Sequence, residues 1–139
     1  MDVLRSNGSA RALAYFYAAL ASGRTLGKNE ALRRRLVADP APGWLDDEPV
    51  QWGLGMQLGS IRSQSDELSS GAASPGVTTV LGHRGLGGTV GFAIPAASLG
   101  VAVTVSRLST KREVTRRLLE LVLEDTECGG WRLPSGGLL

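Results

Sequence analysis

Cysteine, histidine and aromatic residues are all scarce in this chain of 139 residues, which holds one Cys, one His and only 5% Phe, Trp and Tyr. A single thiol, Cys128, excludes an internal disulfide. With one imidazole, His83, it leaves too few ligands for a zinc site, so no metal and no cofactor is expected. A lone thiol also fits a reducing compartment, which favours the cytoplasm. No apolar run approaches the roughly 20 residues a spanning helix needs, and residues 1–6 are not a basic stretch leading into an apolar one. The chain therefore reads as soluble, with no membrane partner and no legible address. Fifteen basic against 13 acidic residues give a net charge of only +2, so a field able to attract nucleic acid would have to come from clustering. The clusters present, Arg33–Arg34–Arg35 and Lys111, Arg112, Arg116 and Arg117, have no aromatic stacking platform among them, and no nucleic-acid partner is expected.

Glycine, by contrast, is abundant at 19 residues, which predicts a loop-rich chain with places where a side chain is unwelcome. The length suits one domain with one core. Ser6, Asn7, Gly8 and Ser9 form a cap-like cluster before an alanine-rich stretch, 10–21, with Leu13, Phe16, Tyr17 and Leu20 at helical spacing. Gly23 then stands where a left-handed helix cap is expected. A second helix is predicted over 29–38, capped by Asn29 and stopped before Pro40. Three prolines and an acidic trio mark 39–49 as a surface loop. Residues 50–61 alternate, with Trp52, Leu54, Met56 and Leu58 on one face and glycines on the other, and read as one strand. The Ser-, Gly- and Ala-rich stretch 62–76 reads as a flexible loop.

Three strands follow at 77–82, 89–94 and 99–106, joined by connections short enough to demand antiparallel hairpins. A last helix, 109–127, is apolar at Val114, Leu118, Leu119, Leu121 and Val122, and residues 129–139 read as a loosely held tail. Strands grouped together with helices before and after them argue an α+β fold, an antiparallel β-sheet flanked by helices, with the last helix covering one face.

Several chemical motifs fail on spacing. Gly23–Lys28 has three residues where a phosphate loop needs four, and Asn29 follows where Ser or Thr is required. Residues 85–90 lack the third glycine of a dinucleotide fingerprint and run into a strand. No serine is followed three residues later by lysine, so the chain carries no Ser-x-x-Lys nucleophile and base, and no catalytic residue is assigned in it. The stretch Leu81-Gly82-His83-Arg84-Gly85-Leu86-Gly87-Gly88 remains: a titratable ring at the end of an apolar strand, beside backbone freed of Cβ atoms. Taken alone, it fits either a ligand contact or a glycine-rich hairpin.

Four segments together resemble the C-terminal part of the serine β-lactamase-related hydrolases, meaning class C β-lactamases, D,D-peptidases and similar esterases. Residues 9–23 resemble the family helix of the type S/T-A-R-D-L-A-R-F-Y-A-A-L-A-N-G-G, and Gln51-Trp52-Gly53-Leu54-Gly55 resembles its y-G-L-G strand. Residues 81–95 resemble F-G-H-T-G-A-G-G-S-x-G-F-A-D-P, followed at 99–108 by a match to g-L-G-V-A-V-x-x-N-R-L. The resemblance implies a partial β-lactamase/transpeptidase-like fold over 1–128. It implies an acyl-transfer chemistry in complete members, acting on a small ester, amide or β-lactam. It places His83, Arg84 and Gly85 at the family's third motif, Lys-Thr-Gly or His-x-Gly, on the substrate-binding wall. The backbone amide of Leu86 then serves as oxyanion support. Arg84 stands where the family has Thr or Ser.

The family's Ser-x-x-Lys and Tyr-x-Asn elements lie N-terminal to the matched region. Tyr15 and Tyr17 do not supply the second and read as core-facing helix residues. The chain is therefore expected to be a fragment or diverged member, inactive alone. The alternative is a non-catalytic binding module that keeps the site wall. In the family the last strand pairs with strands from the N-terminal end, so an open edge at 99–106, and an oligomer formed through it, is expected here.

Overall fold

The computed structural model describes residues 8–24, 41–45, 48–53, 55–63, 77–107, 112–124 and 130–133. Helix α1 (Ala10–Ala21) begins where the sequence predicts: the Ser9 hydroxyl accepts from the Ala12 amide at 3.2 Å, satisfying one of the donors a helix start leaves open. It ends in a paired cap. Gly23 adopts φ +75°, its amide donates to the Leu20 carbonyl, and the Arg24 amide donates to Ala19.

Six strands follow as successive antiparallel neighbours: β1 (Ala41–Leu45), β2 (Glu48–Gly53), β3 (Met56–Ser63), β4 (Val77–Arg84), β5 (Val90–Ile94) and β6 (Leu99–Val103). A 3-10 turn, Pro95–Ala97, joins the last two, with Ser98 in the left-handed region. After helix α2 (Glu113–Glu124), the short strand β7 (Trp131–Arg132) pairs the far end of β3 at Arg62 and Ser63, beyond the part of β3 that β2 uses.

The sheet separates two apolar layers. On one face Ile61, Val80, Val90, Phe92, Ile94, Val101 and Val103 meet Leu119 and Leu123 of α2 and Trp131. On the other, Leu81 and Ala93 meet Tyr17, Leu20 and Ala21 of α1, with Leu13, Met56 and Leu58 at the margin. Cross-strand partners Leu81↔Ala93 and Gly82↔Phe92 belong to opposite layers, as the two-residue period of a strand requires. Each fully buried large side chain, such as Phe92, contributes about 1.5–3 kcal/mol. Helix α1 approaches unusually closely because β5 and β6 present Gly91 and Gly100. A Cβ at Gly100 would strike the Ala18 amide nitrogen and the Ala14 carbonyl oxygen, and one at Gly91 would strike the Tyr17 ring.

The α+β class with an antiparallel sheet and flanking helices holds, but several details differ from the sequence reading. Both faces are covered, not one, because α1 also finds a glycine-lined bed. The stretch 39–49, expected as a loop, contains β1 and the start of β2: Pro42 and Pro49 interrupt neither, as prolines are tolerated at sheet margins. The single strand expected over 50–61 is a hairpin, because Gly55 takes φ +82° and turns the chain between β2 and β3. Part of the expected loose tail is held, since Trp131 is buried and β7 is hydrogen-bonded to β3.

Helix α2 buries Thr115, Leu119 and Leu123 and leaves Val114, Leu118, Leu121 and Val122 exposed, a face rotated from the one expected. Its apolar arc is wider than one contact face. The half that docks is the one whose Thr115 hydroxyl meets a buried carbonyl, described below. Tyr17 is buried as expected, but Tyr15 is exposed, with the Arg11 guanidinium 5.7 Å from its ring. The predicted helix at 29–38, most of the 62–76 loop and Cys128 lie outside the described residues.

Candidate functional site

Strand β4 carries the glycine-histidine block to the end of the sheet. Successive side chains alternate across a strand, so His83 and Arg84 face opposite ways: His83 is exposed, whereas Arg84 is only 8% exposed, on the side of its cross-strand partner Val90. The His83 ring lies 6.0 Å from the Trp52 ring, tilted by 55°. This brings the second of the sequence-matched segments, 51–55, beside the third.

The chain then reverses over 85–89. The Gly85 amide donates to the Thr89 carbonyl at 2.7 Å, and the Gly88 amide donates to the Gly85 carbonyl at 3.3 Å. Gly88 sits at φ +101°, where an L side chain would be strained, and a Cβ there would come within 3.0 Å of the Thr115 hydroxyl oxygen. Between these two bonded amides stands Leu86, 64% exposed, whose own N–H takes part in no backbone hydrogen bond among the described residues. The exposed residues of the block are thus His83 and Leu86, with Gly85 between them in sequence half-buried.

Two side chains that the sequence reading did not single out hold this reversal. The pairing of β3 with β4 ends at Gln57↔Gly82, two residues short of Arg84. The Gln57 side chain reaches past the end of that pairing: fully buried, it accepts from the Arg84 amide through Oε1 at 2.6 Å. At the other end, the buried Thr115 hydroxyl of α2 donates to the Gly88 carbonyl at 2.6 Å. The Val105 amide adds a longer contact, 3.5 Å, to the Thr89 hydroxyl. Both short bonds span 27 residues of sequence, so no local spacing announces them. A polar residue at a strand position, Gln57, and a polar interruption of an apolar helix stripe, Thr115, were the available signals.

Among the described residues, the phenol of Tyr17 is pushed above its ordinary 10.0 by burial against the sheet. No described helix is long and apolar enough to cross a membrane.

Comparison with curated proteins and with solved structures gave no match. Comparison with known protein families matches residues 5–124 to the β-lactamase family. That match takes in α1, all six consecutive strands and α2. The chain belongs to the β-lactamase family, a family of related serine hydrolases.

Proposed function

We propose that residues 83–86 are the substrate-holding wall and one half of the oxyanion site of an acyl-transfer centre. The reading rests on the exposed residue Leu86, directly after Gly85, whose amide has no backbone acceptor among the described residues. In acyl transfer the carbonyl oxygen of an ester or amide gains negative charge as a nucleophile adds to its carbon, and a fixed N–H aimed at that oxygen lowers the barrier. One such donor contributes roughly 3–4 kcal/mol when the remaining parts are in place. His83 supplies a polar contact to the substrate, Gly85 lets the substrate lie against main chain, and Arg84 acts through its backbone, its side chain being turned to the opposite face.

The nucleophile is a separate matter. Acyl-enzyme formation needs an activated hydroxyl, and no serine of this sequence has the lysine three residues on that the family chemistry uses. We therefore propose that the polypeptide, a fragment or diverged member of the family, turns over neither esters nor β-lactams by itself. Incubation with p-nitrophenyl acetate and with a chromogenic cephalosporin should release product at the buffer rate. Turnover that disappears when one serine of this chain is replaced by alanine would overturn the proposal.

A second reading, a binding module that adds a strand, is favoured by β6. The strand lies at the end of the sheet among the described residues, and Leu99–Val103 contains neither charge nor proline to discourage pairing. The occupant that fits is a second copy of the strand: antiparallel pairing about Val101 places Leu99 opposite Val103 and Gly100 opposite Ala102, apolar with apolar and small with small.

A further inference from the structure

The reversal that presents Leu86 is anchored by two buried side chains from different layers of the fold, and neither belongs to the glycine-histidine block. Gln57, from β3, accepts from the Arg84 amide just past the last β3–β4 pair; Thr115, from α2, caps the Gly88 carbonyl. Between these two anchors lie three residues, and the internal bonds Gly85 N–H to Thr89 and Gly88 N–H to Gly85 fix the turn further. A donor aimed at a developing charge is useful only if it does not have to reorganise when that charge appears. Side chains that are locked by burial are the means by which a protein holds such a group still.

We propose that Gln57 and Thr115 are positioning residues that hold the main chain at Leu86, and with it an amide that has no backbone acceptor among the described residues. The inference deepens the proposed site and rests on it for the identity of the amide's ligand, but the clamp itself can be tested without that identity. Loss of Gln57 leaves the Arg84 N–H without its acceptor. Loss of the Thr115 hydroxyl leaves the Gly88 carbonyl buried without a donor. Either change should loosen the turn while the two apolar layers remain packed.

The test compares Gln57→Met and Thr115→Val, which keep volume and remove the bond, with Gln57→Glu and Thr115→Ser, which keep an acceptor or a hydroxyl. Leu119→Ala serves as a control, destabilising α2 without touching either bond. Two quantities are read by NMR on the full chain: amide hydrogen exchange at Arg84 and Gly85, and the shift of the Leu86 amide on titration with benzoate, a stand-in for an acyl oxyanion.

Exchange at Arg84 and Gly85 should rise by about 5- to 100-fold in Gln57→Met and Thr115→Val, matching the loss of a buried hydrogen bond. It should return towards wild type in Gln57→Glu and Thr115→Ser, and in Leu119→Ala it should change only as much as the rest of the sheet. The benzoate response of Leu86 should shrink in the first pair alone. Exchange in Gln57→Met and Thr115→Val no different from Leu119→Ala overturns the clamp. A wild-type Leu86 amide indifferent to benzoate overturns the site reading instead, while the exchange data still decide the clamp.

Discussion

Replacing Gly100 by alanine adds one carbon where the structure has no room for it. An ideal Cβ at this position would overlap the Ala18 amide nitrogen and the Ala14 carbonyl oxygen and would lie 2.7 Å from the Tyr17 carbonyl carbon. All three are helix backbone atoms, so no rotamer change relieves the contact. The whole of α1 must retreat by about 1 Å to restore ordinary van der Waals separation, or the β6 backbone must bend. Retreat opens the layer in which Tyr17, Leu20 and Ala21 pack on Leu81 and Ala93. Overpacking of this kind costs about 1–3 kcal/mol. Partial loss of the burial of Leu20 and Tyr17, each worth roughly 1.5–3 kcal/mol when complete, brings the expected total to about 3 kcal/mol. For a chain of this size that corresponds to a fall in Tm of roughly 10 °C.

Urea unfolding followed by far-UV circular dichroism, with a thermal melt alongside, measures the effect. Gly8, where a Cβ would meet nothing within 4 Å, provides the matched control, and Gly8→Ala should melt with wild type. A Gly100→Ala protein that melts within about 2 °C of wild type would refute the close seating of α1 on β6.

Other perturbations test the opposite layer and the surface. Phe92→Ala empties the centre of the α2 layer and should cost about 3–5 kcal/mol in urea unfolding. Because the Tyr17 phenol is pushed above 10.0 by burial, the folded state keeps its proton where the unfolded state loses it. Its contribution to stability is therefore complete below about pH 10 and declines as the pH rises beyond. Urea midpoints measured up the alkaline range should fall more steeply for wild type than for Tyr17→Phe. Glu120 pairs with Arg116 at 3.1 Å and with Arg117 at 3.4 Å on the exposed side of α2, where solvent screens both, so Glu120→Gln should change stability by less than about 1 kcal/mol. If β6 pairs with a second copy, light scattering should find dimers at high concentration that Ala102→Lys abolishes; a wild-type monomer at all concentrations would remove the strand-addition reading.

What could be read from the sequence was whatever is written locally. Ser9, the 3.6-residue spacing of Leu13, Tyr17 and Leu20, and Gly23 are all contained within α1, and each does in the structure what its position implies. The β4–β5–β6 meander was legible because its connections are too short for any other topology. The hairpin at Gly55 was not, since glycines spaced two apart satisfy a strand pattern as well as a turn, and only the pairing of β2 with β3 separates the two.

The orientation of α2 depended on tertiary contact. Val114, Leu118, Leu121 and Val122 are as apolar as the face that docks, and the choice falls to Thr115 because the buried Gly88 carbonyl needs its hydroxyl. Trp131 likewise is held by β3, about 70 residues earlier in the chain, and nothing near it in sequence signals that contact. At the site, the block 83–86 announced itself by a histidine among glycines, whereas Gln57 gains its meaning only when Arg84 arrives beside it.

The most direct measurement is the response of the wild-type Leu86 amide, in a 1H–15N spectrum of the full chain, to added benzoate. A saturable downfield shift centred on Gly85 and Leu86, with the His83 ring protons moving in parallel, is the predicted result. Shifts that bypass residues 83–86, or a Leu86 amide that is strongly protected from solvent exchange before any ligand is added, would contradict a wall built around a free oxyanion donor.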